Sequence, residues 1–306
     1  MKKTLVDLFE ESVRLYPNNT FLLEKTDKKE GFKPTTYTQV KDLVYRLGAG
    51  YQALGVKKGD NMALLSEGCN MWVARESQIP EWINRENVNI VLHSDIIPAK
   101  HLPTFNCNPI EMHLHCIKGL DEEFLYFNDD IFPLKPCKPT DFFINGCGKL
   151  GMSRHLFALN MFKKICKNSN RTARKALGLK PSICFLRPQH ICTPMLKSIC
   201  EEVYGKVEND IIPSLTRTRS SNNINQYLFL DYMYLKGKLI NKRLSKKHFS
   251  LGIASKNNMC KFLESPTHSL VCINDVQMSE ENYTDIRKCL LETFEHILPK
   301  KSKYEL

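Results

Sequence analysis

The sequence predicts an α/β fold, with a small α/β segment ahead of a larger α/β domain, and three observations carry that expectation. Short apolar runs with strand spacing alternate with longer stretches of helical period. Two of the strand-like runs stop abruptly at amide and carboxylate residues. The residue pattern also changes near Met71–Ser77, and 306 residues suffice for about two domains.

Taken in order, Thr4 and Asp7 make a capping-box-like start, and Leu5, Leu8, Phe9 and Val13 form the apolar stripe of a first helix. Phe21-Leu22-Leu23 reads as a strand. A second helix is expected from Thr38, with Val40, Leu43, Val44, Leu47, Tyr51 and Leu54 on one face and Gly55 as its C-terminal cap. Lys57 to Asp60 then turns into a strand over Met62–Leu65. Beyond the change in pattern, Val88–His93 reads as a strand and Ile110–Ile117 as a short helix. Phe124–Phe127 is a buried strand ending in Asn128-Asp129-Asp130. Helices are expected over Arg154–Lys167, Pro194–Tyr204 and Asn223–Leu235. A strand over Ser269–Ile273 ends in Asn274-Asp275, and a last helix places Ile286, Leu290, Phe294 and Ile297 on one face.

With 42% hydrophobic and 25% charged residues, the chain is neither disordered nor fibrous. It has no apolar run of about 18 residues, so no transmembrane segment is expected. Its first residues lack the apolar core of a signal peptide. A cytoplasmic protein is therefore expected, with room for peripheral contact with the inner membrane. The twelve cysteines are scattered, no CxxC pair occurs, and reduced core thiols are the reading for all of them. Charge is uneven: Lys149–Met259 holds 21 Lys/Arg against 5 Asp/Glu, while the whole chain carries +11. Such a block attracts polyanions, although charge alone reads equally as a solvated basic face.

The residues after Phe124–Phe127 carry most of the chemistry. Carboxylates at the carboxyl end of a strand lie where open α/β sheets bind ligands, and Asp129 and Asp130 suit Mg²⁺ or Mn²⁺. Asn274 and Asp275 repeat the pattern at a second strand end, and either pair also makes an ordinary Asx turn. His190 precedes the helix expected from Pro194, where it could meet a phosphate or move a proton. Arg219 stands beside another expected helix start, where a guanidinium grips a diphosphate in bidentate fashion. For both residues an exposed surface position is the competing reading. His113 and His115, two apart on an expected helix, point to different faces and are rejected as a metal pair.

Several ordered runs resemble the Stealth family of capsular polysaccharide phosphotransferases. They are Gln78-Ile79-Pro80-Glu81-Trp82, His93-Ser94-Asp95-Ile96-Ile97-Pro98, Leu102-Pro103-Thr104-Phe105-Asn106 and Tyr126-Phe127-Asn128-Asp129-Asp130. Pro188-Gln189-His190, Pro194 to Ser198, Cys272-Ile273-Asn274-Asp275 and Pro299 to Glu305 continue the likeness in the family's order. The resemblance implies a glycosyltransferase-A-like core, here incomplete, over residues 76–306. It implies transfer of hexose-1-phosphate from a nucleotide-sugar donor to a glycan acceptor. It makes Asp129, Asp130 and His190 catalytic candidates, His190 and Arg219 phosphate-binding candidates, and Asp129, Asp130, Asn274 and Asp275 candidate ligands of Mg²⁺ or Mn²⁺.

Residues 1–75 differ. Thr36-Tyr37, Ala53-Leu54-Gly55-Val56, Lys58-Gly59-Asp60 and Ser66-Glu67-Gly68 resemble the start of an acyl-CoA synthetase. The phosphate loop such an enzyme needs is absent, so an adenylating site is excluded. The Stealth family's first conserved region and the first half of its second are missing, and Asn223 stands where an aspartate is common. A junction at about Met71–Ser77 and impaired activity are accordingly expected. The alternatives are an inactive chimeric fragment or a polyanion-binding protein. Nucleic acid is not an expected partner, because no nucleic-acid-binding module is recognisable.

Overall fold

The N-terminal stripe folds as helix α1 (Leu5–Leu15), with Val13 buried and Phe9 half-buried. Strands β1 (Thr20–Glu24) and β2 (Lys33–Thr36) pair antiparallel beside it. Phe21 stacks edge-on against Phe9 at 5.6 Å and Tyr37 at 4.7 Å, which fixes the small aromatic cluster of this segment. Residues 37–42 are helical and bury Val40, as the periodicity predicts. The computed structural model describes residues 5–24, 33–42, 62–66, 69–74, 79, 82–251, 253–274 and 278–305. The rest of the expected second helix, its Gly55 cap and Asp275 lie outside the described residues. The chain divides between Gly59 and Asp60, ahead of the change of pattern at Met71–Ser77.

In the larger unit, β3 (Met62–Ser66), β4 (Cys69–Ala74), β5 (Asn89–Leu92), β6 (Glu123–Phe127) and β12 (Thr193–Leu196) form one mixed sheet in the order β12-β6-β3-β4-β5. Only β4 and β5 run parallel. Strands on both sides of the change of pattern thus share one sheet. Three smaller groupings flank it: β10 (Met152–His155) with β11 (Phe185–Pro188), β8 (Phe143–Ile144) and β13 (Leu239–Asn241) about β9 (Cys147–Leu150), and β7 (Ile131–Pro133) and β14 (Lys246–Ser250) about β15 (Leu270–Asn274).

Among the described residues, the α-helices of six or more residues in this unit are α2 (Cys107–Met112), α3 (Met161–Ala176), α4 (Lys197–Ile211), α5 (Tyr227–Leu235), α6 (Lys256–Glu264) and α7 (Glu280–Ile297). Phe124 and Tyr126 of β6 point into the main core and meet Met112, Leu114, Met195 and Phe229 there. Helix α5 is apolar nearly all round and buries Tyr227 through Met233, which is the signature of a central helix. Burial of each large side chain contributes roughly 1.5–3 kcal/mol before entropy is counted. A second core lies under α7, where Ile286, Leu290, Phe294 and Ile297 cover Phe249, Met259, Val271 and Ile273. The face read from the sequence is the face that packs.

Several boundaries differ from expectation. Helix α3 starts at Met161, because Asn160 caps it by accepting from the Lys163 N–H at 2.9 Å; Arg154 belongs to β10 instead. The run Thr193-Pro194-Met195-Leu196 is a fully buried strand against β6, so α4 begins only at Lys197. Helix α5 begins at Tyr227, since Asn223 and Asn225 spend their side chains on loop hydrogen bonds. The helix expected from Ile110 begins earlier, at Cys107, capped by the Asn106 side chain. The reading of every cysteine as reduced is also corrected: Cys260 and Cys289 form a disulfide joining α6 to α7, while Cys166, Cys192, Cys200 and Cys272 are free and buried.

Candidate functional site

Two strand ends converge as the sequence pattern suggested. The backbone carbonyl of Asp130, between β6 and β7, accepts from the Ile273 N–H at 2.8 Å. That contact draws the β6 terminus to the β15 terminus, and Asn274 Nδ2 donates to Asp130 Oδ2 at 3.2 Å. Around them lies a cavity of ≈ 560 Å³ whose lining includes Asp129, Asp130, His190, Arg219 and Asn274. These are all the candidate site residues within the described part of the chain.

Asp130 Oδ2 also receives His190 Nε2 at 3.0 Å and the Cys272 thiol at 3.3 Å. Burial opposes its ionisation, yet the hydrogen bond and charge of His190, with Cys272 and Asn274, hold its carboxyl below the usual range. Burial and the Asp130 charge push the Cys272 thiol up to about 12, so it donates rather than ionises. Asp130 Oδ1 is buried with no hydrogen-bond partner. His190 does not sit at a helix start; it lies in the connection from β11 to β12. Lys246 Nζ donates to its backbone carbonyl at 2.7 Å, which pins that connection. In the neutral form of the ring, a proton on Nε2 serves the Asp130 contact and leaves the lone pair on Nδ1.

Arg219 likewise corrects the expectation of a helix start. It occupies a turn eight positions before α5, and its Nη2 donates to Cys107 Sγ at 2.9 Å. The turn is organised by Asn223, whose Oδ1 accepts from Asn106 Nδ2 (3.1 Å), Asn108 Nδ2 (3.2 Å) and the Ser220 N–H (2.7 Å). Its Nδ2 donates to the Ser214 carbonyl at 2.6 Å and to Thr216 Oγ1 at 2.7 Å. Aspartate in its place would set a carboxylate oxygen against the Ser214 carbonyl, so the local packing of this chain requires the amide.

Sequence reasoning missed Glu111 and Cys107, both on α2 and both lining the cavity. Glu111 is fully enclosed and accepts from the Tyr126 hydroxyl at 3.3 Å and the Gln226 N–H at 3.4 Å. Burial pushes its carboxyl up, against the pull of Gln226, Cys107, Arg219 and Tyr126. Burial and Glu111 also push the Cys107 thiol up to about 12, with Arg219 opposing. Burial thus opposes charge on both the acid and the thiol that stand behind the guanidinium. His113 and His115 do not part to different faces. Both rings lie against Tyr204, at 5.5 and 5.0 Å, and burial holds His115 down to about 4, as a neutral core side chain.

The donor set can be weighed against a metal ion. Among the described residues, Asp130, His190 and Cys272 bring potential ligand atoms within 4.8 Å of one another. Asp130 Oδ2 and the two other groups already satisfy each other, whereas the partnerless Oδ1 and the exposed Asp129 offer hard oxygen donors at the cavity. That chemistry fits Mg²⁺ or Mn²⁺.

Residues 67–150 match the family model described as Stealth protein CR2, conserved region 2. The match begins inside the segment whose pattern resembles an acyl-CoA synthetase, and the comparisons lend that resemblance no support. The chain is 33% identical over 237 residues to a capsular polysaccharide phosphotransferase of Haemophilus influenzae, covering 70% of this chain and 63% of that protein. It is 30% identical over 275 residues to the receptor polysaccharide phosphotransferase WefC of Streptococcus gordonii, covering 77% of this chain and 80% of the relative. An exopolysaccharide phosphotransferase of Lactiplantibacillus plantarum is 27% identical over 272 residues, covering 77% and 80%.

Proposed function

The chain belongs to the Stealth family, and from that premise we propose that it transfers hexose-1-phosphate from a nucleotide sugar to a glycan hydroxyl in the synthesis of a capsular or surface polysaccharide. The observation that carries the proposal is the Asp130–His190 contact of 3.0 Å, in a cavity that also presents Asp129 and Arg219. A carboxylate that orients a histidine is the arrangement of a general base. His190 Nδ1 takes the proton of the acceptor hydroxyl as its oxygen bonds to the sugar-bearing phosphorus. The bond from that phosphorus to the bridging oxygen breaks, and nucleoside monophosphate leaves. Arg219 holds phosphate oxygens and offsets charge that develops on them.

Asp129 and Asp130, with Asn274 and with Asp275 outside the described residues, would hold Mg²⁺ or Mn²⁺. When bound, the ion supplies charge neutralisation for the donor's diphosphate. The core is inferred to be of the incomplete glycosyltransferase-A-like kind, supported by carboxylates at the end of β6. A cytoplasmic site of action, with peripheral membrane contact, is part of the same reading; among the described residues no helix is long and apolar enough to cross a membrane.

The test is product release from a panel of nucleotide sugars with Mg²⁺, with and without a glycan acceptor, beside Asp129→Ala. Acceptor-dependent nucleoside monophosphate from the unaltered chain alone is expected. Release of nucleoside diphosphate would mean ordinary glycosyl transfer and overturn the mechanism. No release across all acceptors would favour the inactive fragment.

A further inference from the structure

A second cavity of ≈ 540 Å³ shares Phe162, His190 and Asn274 with the first but differs from it in charge. Arg187, Arg243, Lys246 and His248 line it, and among the described residues none of its lining is acidic. Burial lowers the Lys246 pKa, Cys272 and Asp130 oppose, and the charges of Arg187 and Arg243 lower it again. The cations are therefore crowded together, with Asp130 offsetting them only in part from the neighbouring cavity, and an anion entering the cavity relieves the remaining repulsion.

The crowding is built rather than incidental. The segment that carries Arg243 is fastened by two reciprocal amide clamps. Gln189 Oε1 accepts from the Leu244 N–H at 3.0 Å while Gln189 Nε2 donates to the Leu244 carbonyl at 3.0 Å. Asn241 does the same for Met152, at 2.7 and 3.1 Å. Gly151 lets the segment approach: a Cβ there would lie 2.8 Å from Arg243 Cγ and 3.0 Å from Gln189 Oε1. Across the cavity, the Arg187 guanidinium lies over the Phe162 ring at 5.5 Å, which orients a second cation.

We propose that this cavity is a subsite for a phosphodiester of the acceptor glycan. The inference rests on the transfer reading above. Transfer of a sugar-1-phosphate to a hydroxyl leaves a phosphodiester, so a glycan already extended by that reaction carries a single negative charge one linkage behind its accepting end. A monoanion of this kind needs cations and no metal, which is what the second cavity offers. His190 is common to both cavities, so a glycan seated in the second brings its hydroxyl to the base that faces the donor in the first. The donor's own phosphates are the other source of the same chemistry. They are assigned to the first cavity because it holds the carboxylates suited to a metal.

The experiment is equilibrium binding of methyl glucosyl phosphodiester, its uncharged methyl glucoside counterpart and uridine monophosphate to the full chain and to Arg243→Gln. The unaltered chain should bind the phosphodiester more tightly than the neutral glucoside, with an affinity that falls as salt rises. Arg243→Gln should weaken phosphodiester binding by at least about tenfold, as loss of a charge-assisted contact does. It should leave uridine monophosphate within about twofold, and Arg243→Lys should restore part of the loss. No preference of the unaltered chain for the charged glycoside overturns the proposal. Equal weakening of uridine monophosphate also overturns it and gives the cavity to the donor. Should Arg243→Gln fail to fold, Arg187→Gln carries the same comparison on the opposite side. Binding needs no turnover, so nucleoside diphosphate release in the transfer assay would sink the transfer mechanism without altering this readout.

Discussion

Glu111 and Asp130 line the same cavity, yet their surroundings push their carboxyls in opposite directions. Glu111 stands buried on α2, and burial outweighs the donors that reach it. Asp130 stands at a strand end, is only partly buried, and gathers three donors on one oxygen. One carboxyl is pushed up and the other is held down, within a single enclosure. Carboxyls separated in this way take different parts: an ionised one orients a histidine or meets a cation, and a neutral one holds structure by hydrogen bonding. The lesson is that membership of the cavity does not assign chemistry. The hydrogen bonds behind each group do.

The largest effect expected from this contrast is on turnover. Asp130→Asn keeps the volume of the side chain but removes the charge that orients His190, so acceptor-dependent release of nucleoside monophosphate should fall by roughly 10²–10⁴-fold. Glu111→Gln keeps the shape of a group whose ionisation burial already opposes, and should stay within about tenfold of the unaltered chain. Steady-state rates at saturating donor measure both. Equal losses would break the comparison and place Glu111 among the reacting groups.

Next in size is stability. Glu111→Ala strips acceptors from the Tyr126 hydroxyl and the Gln226 N–H, both buried, and opens a cavity beside them. The cost should be about 2–4 kcal/mol, against under about 1.5 kcal/mol for Glu111→Gln. Urea unfolding with an unchanged slope reads the difference directly. If alanine were as well tolerated as glutamine, the neutral carboxyl would have no structural part to play.

The same contrast explains what could be read from the sequence and what could not. Asp129, Asp130 and Asn274 were legible because each follows an apolar run, and the end of a strand is a local property of the chain. The packing face of α7 was legible for the same reason. His190 and Arg219 do line the cavity, but not for the local reason read from the chain. Each was placed at a helix start, whereas Pro194 lies in a strand paired with β6 and the helix after Arg219 begins only at Tyr227. Pairing with a distant strand decided the first and the side chain of Asn223 the second, and neither leaves a local mark. Glu111 and Cys107 were missed because a Cys-Asn-Pro-Ile-Glu run looks like an ordinary helical turn. Their significance comes from residues more than a hundred positions away, Arg219 and Gln226. The coarse α/β class needed only the alternation of strand-like and helical runs. The two amide clamps around Arg243 depend on tertiary approach and were beyond any reading of spacing.

The smallest effect is the pH dependence of stability, and it tests the contrast by sign. In metal-free protein, Asp130 has a native pKa below its ordinary 3.8, so its contribution is complete above that value and is lost as pH falls through the native one. Glu111 has a native pKa above its ordinary 4.5, so the folded state holds the extra proton. Its contribution is complete below 4.5 and is lost as pH rises through the native value. The two slopes therefore oppose each other and act in different windows. Urea midpoints followed from about pH 7 down to about pH 3 should separate them. Glu111→Gln should lose the gain that the unaltered chain shows on cooling the pH toward 4.5, while Asp130→Asn should flatten only the most acidic part. A Glu111→Gln curve parallel to that of the unaltered chain would mean that the Glu111 carboxyl is ionised in the fold. The cavity would then hold the Glu111 anion beside the carboxylates of Asp129 and Asp130, and the division of labour between its walls would have to be redrawn around Arg219.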